Sequence, residues 1–559
     1  MKKTGLLSGT ALVLLLSVGS AAAQQQSLED RIRALEQKLG QPAMPEDNRP
    51  IEERVKALED SLSQKAADDQ ATKTRLSTLE QQVADTVWTF DNSRPQVQSA
   101  DGRFLMAFRY RLQFDTVLFS QNSNLSPNVA VRDLNSGVAV RRFYLGAEGR
   151  AFRDFWYELR LDFGGSNFEA TNPIVNLGRV AYNYGNLAYP NQPHFRINAG
   201  ILQPIFTYGD SVSSASTTFL ERADVVNLAT AGYGALDPRH GIELTFQQAD
   251  IFQPGDNLVV SGAFTGASGA ANPPAGFTAT DEGTQLIGRA AYRLWSDGFS
   301  NLQIGANGAR ILSLTGAAGP GGVRSIALQD RPEVRADGNR LVSTASSTLI
   351  GTSAGVTSNI PENGGWLWGL EWAGNWENFY LAGEYMKFGM DREVNCGSSC
   401  QVFGAAAGVN PGDPEFSGWY IEGSWILTGE SKTYSPLATN NEYATFNNPR
   451  VITPFDWDSG QWGAWEIAAR YSALDLNWQE GEIGQTMAAS PVGGVRGGQE
   501  QIITLGLNWY LNNNILMRFN YLIADVNKLG FVTPASGPAT LQQVGQRFNA
   551  FAMRLQYTN

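Results

Sequence analysis

The residues whose type and spacing suggest chemistry are arginines. Arg109 and Arg111 stand two apart, and Arg160, Arg179, Arg196, Arg289, Arg293, Arg470 and Arg518 hold similar places in segments where apolar and polar residues alternate. A guanidinium is permanently charged and presents forked donors that suit the oxygens of an anion. Many such groups along one surface make weak successive sites, which favour selective passage over capture. Glu158, Asp162, Glu371, Glu384, Glu422 and Glu466 share the same polar positions, so pairing with a carboxylate is the competing role for any one arginine. Other chemistries have little to work with. The only histidines are His194 and His240, beside Pro193 and Pro238-Arg239, and neither has a serine placed by a motif, so no nucleophile and base are legible. Cys396 and Cys400 flank Gly397-Ser398-Ser399; they are expected to close a small disulfide in an oxidising compartment. Without nearby histidine they are half a metal set. The sequence implies no cofactor and no metal.

These arginines belong to segments of period 2. Phe104, Met106, Phe108, Tyr110, Leu112 and Phe114 alternate with Leu105, Ala107, Arg109, Arg111 and Gln113; Phe155 to Phe163, Ile515 to Ile523 and Phe551 to Tyr557 repeat the pattern. Less regular runs centre on Tyr182, Ile197, Leu244, Val260, Ala290, Leu370, Leu381, Ile421, Ile467 and Leu505. Long polar stretches (266–283, 316–361, 395–414) read as extracellular loops, and Asn512-Asn513-Asn514 as a tight turn. Alternating short turns and long loops predicts an all-β transmembrane barrel of about 16 antiparallel strands over 101–559. A chain of 559 residues with 17% charged residues, 59 Gly, 14 Trp, 18 Tyr and 28 Phe suits such a barrel, and the net charge of −12 excludes a nucleic-acid partner.

Ahead of the barrel, residues 1–23 read as a secretory signal: Lys2-Lys3, an apolar run from Leu6 to Val18, then Ala21-Ala22-Ala23. Residues 24–90 read as a periplasmic coiled coil, with Leu28, Ile32, Leu35 and Leu39 at heptad spacing, a break at Pro42, Pro45 and Pro50, then Ile51, Val55, Leu58 and Leu62, and a weaker continuation at Leu76, Leu79 and Val83. One narrow apolar seam must pack against copies of itself or lie on the chain's own barrel. Residues 91–100 form the linker.

Several segments in order carry a resemblance: Phe108 to Gln113, Arg141-Arg142-Phe143-Tyr144-Leu145-Gly146, Phe219-Leu220-Glu221-Arg222, Leu427-Thr428-Gly429-Glu430, Gly463-Ala464-Trp465-Glu466, Leu507-Asn508-Trp509-Tyr510 and Met553 to Tyr557. With these the chain resembles the phosphate-selective porin O and P family of trimeric 16-stranded barrels. The resemblance implies an anion constriction built from Arg111, Arg141, Arg142 and Arg222, the last on a loop that folds into the pore. Strict alternation places Arg142 inward and leaves Arg141 on the other face; it adds Arg109, Arg160 and Arg179 to the pore. Phosphate-conducting members line the funnel with lysines and carry one in the in-folded loop, whereas this barrel has only Lys387, Lys432 and Lys528, with Gly209-Asp210 at the loop position. The chain also continues past the terminal aromatic, Tyr557, to Thr558-Asn559.

The expected function is therefore an outer-membrane porin passing small hydrophilic solutes, anions such as phosphate, by diffusion through an arginine-lined constriction, with no enzymatic activity. Its partners would be outer-membrane lipid, small anions and two further copies of itself in a homotrimer. The alternatives are a general porin without phosphate preference and a structural tether that joins the outer membrane to the cell wall through its coiled coil.

Overall fold

The structure, a computed structural model, describes residues 30–35, 37, 50–84, 86–91, 94–121, 133–152, 154–164, 174–184, 194–233, 238–268, 283–313, 325–326, 328–344, 360–392, 412–436, 443–479, 494–532, 537 and 540–559. The expected signal segment and the Cys396–Cys400 disulfide lie outside them. The chain divides into two compact units, Met1–Val87 and Trp88–Asn559.

In the first unit, residues 30–35 are helical and helix α1 runs from Ile51 to Ala84 without interruption. Pro50, which cannot continue a helix backwards, precedes it, and Glu52 and Glu53 in the first turn complement the positive end of its dipole. No glycine or proline follows within it, so the helix passes straight through the polar residues between Leu62 and Leu76. Ile32 and Val55 of the expected seam are buried and Arg31 pairs with Glu59, whereas Leu76 farther along is exposed.

The second unit holds sixteen antiparallel strands: β1 (Leu105–Gln121), β2 (Gly137–Ala151), β3 (Phe155–Asp162), β4 (Ile174–Tyr184), β5 (His194–Leu202), β6 (Arg239–Ala249), β7 (Asn257–Ser268), β8 (Thr284–Ser296), β9 (Asn301–Ser313), β10 (Ile360–Trp376), β11 (Phe379–Arg392), β12 (Glu415–Ile426), β13 (Ala464–Trp478), β14 (Val495–Tyr510), β15 (Ile515–Asn527) and β16 (Arg547–Thr558). Each pairs with the next, and β16 returns to β1 from Phe548↔Gln121 to Thr558↔Arg111, so the sixteen strands close into a barrel, and the strands Thr86–Asp91 and Arg94–Ser99 extend the same sheet from the start of β1. The strands run from 8 to 17 residues, and the longer ones exceed the ~9–11 residues a tilted strand needs to cross a bilayer. Strand β9, with its run of Gly and Ala, is the one whose period the side chains disguise.

Burial is inverted relative to a water-soluble sandwich. Phe108, Leu118, Leu159, Val180, Leu244, Leu370, Leu505 and Phe551 point outward and are exposed, while Gln113, Glu158, Arg196, Glu371, Arg518 and Arg554 point inward and are buried. An apolar outer face around a polar lumen is what hydrocarbon requires of a barrel wall. Stacked aromatic pairs, Trp295 with Trp376, Phe379 with Trp425 and Trp465 with Trp509, ring the end that carries the short turns. No described helix is long and apolar enough to cross a membrane.

Three connections fill much of the lumen. The first, 203–238 between β5 and β6, holds helices α2 (Tyr208–Ser211) and α3 (Asp224–Tyr233). The second lies within the stretch expected as an extracellular loop: residues 328–344, between β9 and β10, turn inward instead, because Glu333 accepts hydrogen bonds from Arg470, Ser472 and Thr504 at 2.5, 2.6 and 3.0 Å. The third, 427–463 between β12 and β13, starts from the short-turn end. Its hairpin, Lys432–Ser435 paired with Thr445–Pro449, enters the barrel and buries Tyr443, Ala444 and Phe446. Gly463 ends this connection at φ 67°, where an added Cβ would lie 2.2 Å from the Tyr510 carbonyl oxygen, so only glycine can make the turn into β13.

Candidate functional site

Period 2 puts the side chains of Ala107, Arg109, Arg111, Gln113 and Asp115 on the lumen face of β1. On β2 the same rule is broken once. The register steps from Gln113↔Arg142 to Phe114↔Val140, which leaves Arg141 as the extra residue of a β-bulge. Val138, Val140 and Leu145 face out, while Ala139 and Arg142 face in. The bulge turns Arg141 inward beside Arg142, correcting the strict-alternation assignment of only one of them. Adjacent arginines on a regular strand would face opposite ways; here both serve the lumen.

Arg141 Nε and Nη2 donate to Glu221 Oε1 and Oε2 of the first in-folded segment at 2.8 and 3.2 Å, a forked pair. Arg142 Nη1 donates to Gln113 Oε1 at 3.0 Å. Arg111 donates to the hydroxyls of Ser214 (2.8 Å) and Ser213 (3.1 Å) at the tip of the same segment. Between these rows lies the ring of Tyr144, with the Arg111 guanidinium 5.3 Å and the Arg160 guanidinium 4.7 Å from its centre. Arg160 also reaches Gln203, and Arg179 donates to Glu158 at 2.6 and 3.1 Å. Arg109 Nε stands 2.7 Å from Glu148 and its Nη1 3.6 Å from Glu158. Carboxylates on this wall are thus shared: Glu158 serves Arg109, Arg160 and Arg179.

Arg222 is on the in-folded segment, as the resemblance implied, and Nε and Nη2 bond that segment's own backbone: Nε the Gly209 carbonyl (2.6 Å), Nη2 those of Asp210 (3.0 Å) and Val212 (2.9 Å). It staples the turn around α2. Glu221 is held as an anion. Burial alone would raise its pKa, but Arg141, Arg554 and Arg142 overcome that and keep the carboxyl well below the ordinary range. Asp210 goes the other way, because burial outweighs Arg222 and lifts it to about 6.

The segment crosses to the far side and covers it. Tyr208 meets Tyr380 of β11 at 2.6 Å, Gly209 N–H donates to Glu384, Asn508 of β14 donates to the Thr218 carbonyl, and Arg470 of β13 lies over Phe219. Beneath these connections Arg289 holds Glu371, Arg470 holds Glu333, and Arg554 bonds both oxygens of Asp115 (2.6 and 2.7 Å), Glu221 (2.7 Å) and the Leu220 carbonyl. These side chains are 0, 3 and 0% exposed, against 19, 12 and 10% for Arg109, Arg141 and Arg160. The more exposed part of the lumen is therefore bounded by β1 to β4, an arginine wall in which Arg109, Arg111 and Arg141 stay part-exposed while Arg142, Arg160 and Arg179 are buried.

All eight arginines assigned inward by alternation do point inward, but Arg196, Arg289, Arg470 and Arg518 are buried under the in-folded connections and Arg293 stacks over Tyr434 of the hairpin. Lys387 points outward to Glu415, Lys432 is bound to Glu466 at 3.0 Å, and Lys528 lies beyond the end of β15, so none joins the arginine wall. His194 and His240 sit at opposite ends of the β5–β6 ladder, opposite Gln247 and Ile201. Sequence reasoning missed Glu221, Tyr144 and Arg554. Arg554 was readable, since it alternates with Met553 and Leu555; the partner role of Glu221 was not.

A family model described as phosphate-selective porin O and P matches residues 121–558. Porin O of Pseudomonas aeruginosa is 23% identical over 445 residues, covering 78% of this chain and 86% of that protein. Among solved structures, the anion-selective porin from Comamonas acidovorans matches 82% of this chain and 100% of its own at 12% identity and a TM-score of 0.42. OmpT of Vibrio cholerae matches 82% and 98% at 10% identity and a TM-score of 0.41. With the family model covering nearly the whole barrel, the chain belongs to the phosphate-selective porin O and P family.

Proposed function

We propose that anions cross this outer-membrane porin along the arginine wall of β1 to β4, by diffusion and without energy input, and that inorganic phosphate is among them. The observation that carries this reading is the arginine cluster itself: Arg109, Arg111, Arg141, Arg142 and Arg160 around Tyr144, with Glu148, Glu158 and Glu221 each shared between guanidiniums. A positive, part-hydrated surface lowers the cost of an anion leaving bulk water and raises that of a cation. Phosphate suits the forked donors. The absence of lysine from the wall favours a second reading, passage of small anions without phosphate preference.

The same proposal places the short-turn mouth and the N-terminal unit in the periplasm and assembles the chain as a homotrimer. The exposure of Leu76 on α1 supports self-association of that helix, since a lone narrow apolar stripe has nothing to bury against. Attachment to the cell wall would be a property of the same unit. The test is the reversal potential of the purified full chain in a KCl gradient, repeated with millimolar phosphate. Chloride selectivity with current reduced by phosphate is expected; cation selectivity overturns the reading, and chloride current indifferent to phosphate leaves the anion pathway without the phosphate preference.

A further inference from the structure

The span expected as a linker contains a strand, Arg94–Ser99, paired antiparallel with the start of β1 through Gln96↔Ala107, Val97↔Met106 and Gln98↔Leu105. Asp101 closes the turn between them, accepting from Ser99 Oγ at 2.6 Å and Arg103 N–H at 3.0 Å. Residues directly opposite in an antiparallel pair share a face. Ala107 faces the lumen, so Gln96 does too, and so does Arg94 two residues before it. Its guanidinium reaches Glu148, whose other oxygen stands 2.7 Å from Arg109 Nε.

We propose that Arg94, on a strand ahead of the sixteen and level with Arg109, is a further rung of the arginine wall towards the short-turn mouth and helps set anion selectivity there. This rests on the anion pathway proposed above. Glu148 is nearly buried and already held by Arg109, so a second guanidinium on the same carboxylate leaves one positive charge in excess. Both guanidiniums keep partial exposure, Arg94 at 23% and Arg109 at 19%, so the excess charge is felt in the lumen. A chain of contacts then runs from Arg94 through Glu148, Arg109 and Glu158 to Arg160, ending beside Tyr144. A further strand, Thr86–Asp91, lies between α1 and the strand that delivers Arg94, so it is the polypeptide immediately ahead of the barrel that joins the filter.

The test compares wild type, Arg94→Gln and Arg111→Gln as full chains in planar bilayers under a KCl gradient. With Arg94→Gln the chloride-to-potassium permeability ratio should fall about twofold near 0.1 M salt and recover near 1 M, where screening removes the effect of a single charge. Arg94→Lys should keep the wild-type ratio. An unchanged ratio in Arg94→Gln beside a lowered one in Arg111→Gln overturns the proposal and makes Arg94 a structural anchor. A wild-type channel that prefers potassium defeats the pathway itself, an outcome the control separates from the first. Should Arg94→Gln fail to fold, Glu148→Gln carries the question: a raised chloride preference is expected, and an unchanged or lowered one overturns the proposal.

Discussion

The wall of β1 to β4 and the wall from β8 round to β16 are written in the same residues. Both set arginines at alternate positions against an apolar outer face, and both offer carboxylates within reach. On the covered side Arg554 and Arg289 are out of water, and protein groups meet their donors: Arg554 takes two oxygens of Asp115, one of Glu221 and a carbonyl, and Arg289 takes Glu371 and two carbonyls of the hairpin. On the open side, Glu148 is divided between two arginines and Glu158 among three. The strand pattern decides only that an arginine points inward. Whether it becomes a rivet or a rung depends on how completely the connections enclose it.

The sharpest way to break this division is Arg554→Ala. It strips Asp115 of its guanidinium inside a covered network, and losing one partner of a buried pair costs about 3–5 kcal/mol. The folded barrel should unfold at clearly lower denaturant concentration, read by tryptophan fluorescence and by heat-modifiable migration on gels. If Arg554→Ala unfolded like wild type but shifted the permeability ratio, the covered side would be part of the pathway. The reverse result is expected of Arg111→Gln. Its side chain meets serine hydroxyls and an aromatic face, so stability should change by less than about 1 kcal/mol. The chloride-to-potassium ratio should drop roughly threefold at low salt. Arg160→Gln, on the other face of Tyr144, should act in the same direction.

How much of this was legible follows the same line. Period 2 gave the barrel, its approximate strand number and the inward set, because side-chain direction in a strand is a purely local property. It misassigned Arg141 because a bulge is set by the partner strand: nothing in Val140-Arg141-Arg142-Phe143 announces that Gln113 and Phe114 will sit opposite Arg142 and Val140. It could not show that 328–344 turn inward, since the reason is Glu333 meeting Arg470 across more than a hundred residues of chain. The hairpin in 427–463 was hidden for the opposite reason. A connection at the short-turn end was expected to be short, and its apolar Tyr443, Ala444 and Phe446 resemble strand residues without being part of the wall. Arg222 was placed on the right segment by motif, but the motif could not show that its Nε and Nη2 bond Gly209, Asp210 and Val212.

The smallest effect tests the segment that divides the two sides. Asp210 lies on that segment, 3.8 Å from Arg222, with Glu384 of β11 and Arg289 as its other charged neighbours. Burial lifts its pKa to about 6, against 3.8 for an exposed aspartate. With the folded value above the unfolded one, the folded state binds the extra proton between the two, so stability falls as pH rises from about 4 to about 6 and is level above that. Over the same interval Asp210 gains a negative charge next to the staple. Chloride conductance at low salt should therefore decline through pH 6, by less than about twofold because a single screened charge is involved. Asp210→Asn should flatten that step and leave the permeability ratio at pH 5 where wild type has it. A step that persists in Asp210→Asn would assign the titration to another group, and would place the charge that tunes the pore on the wall instead of on the segment that bounds it.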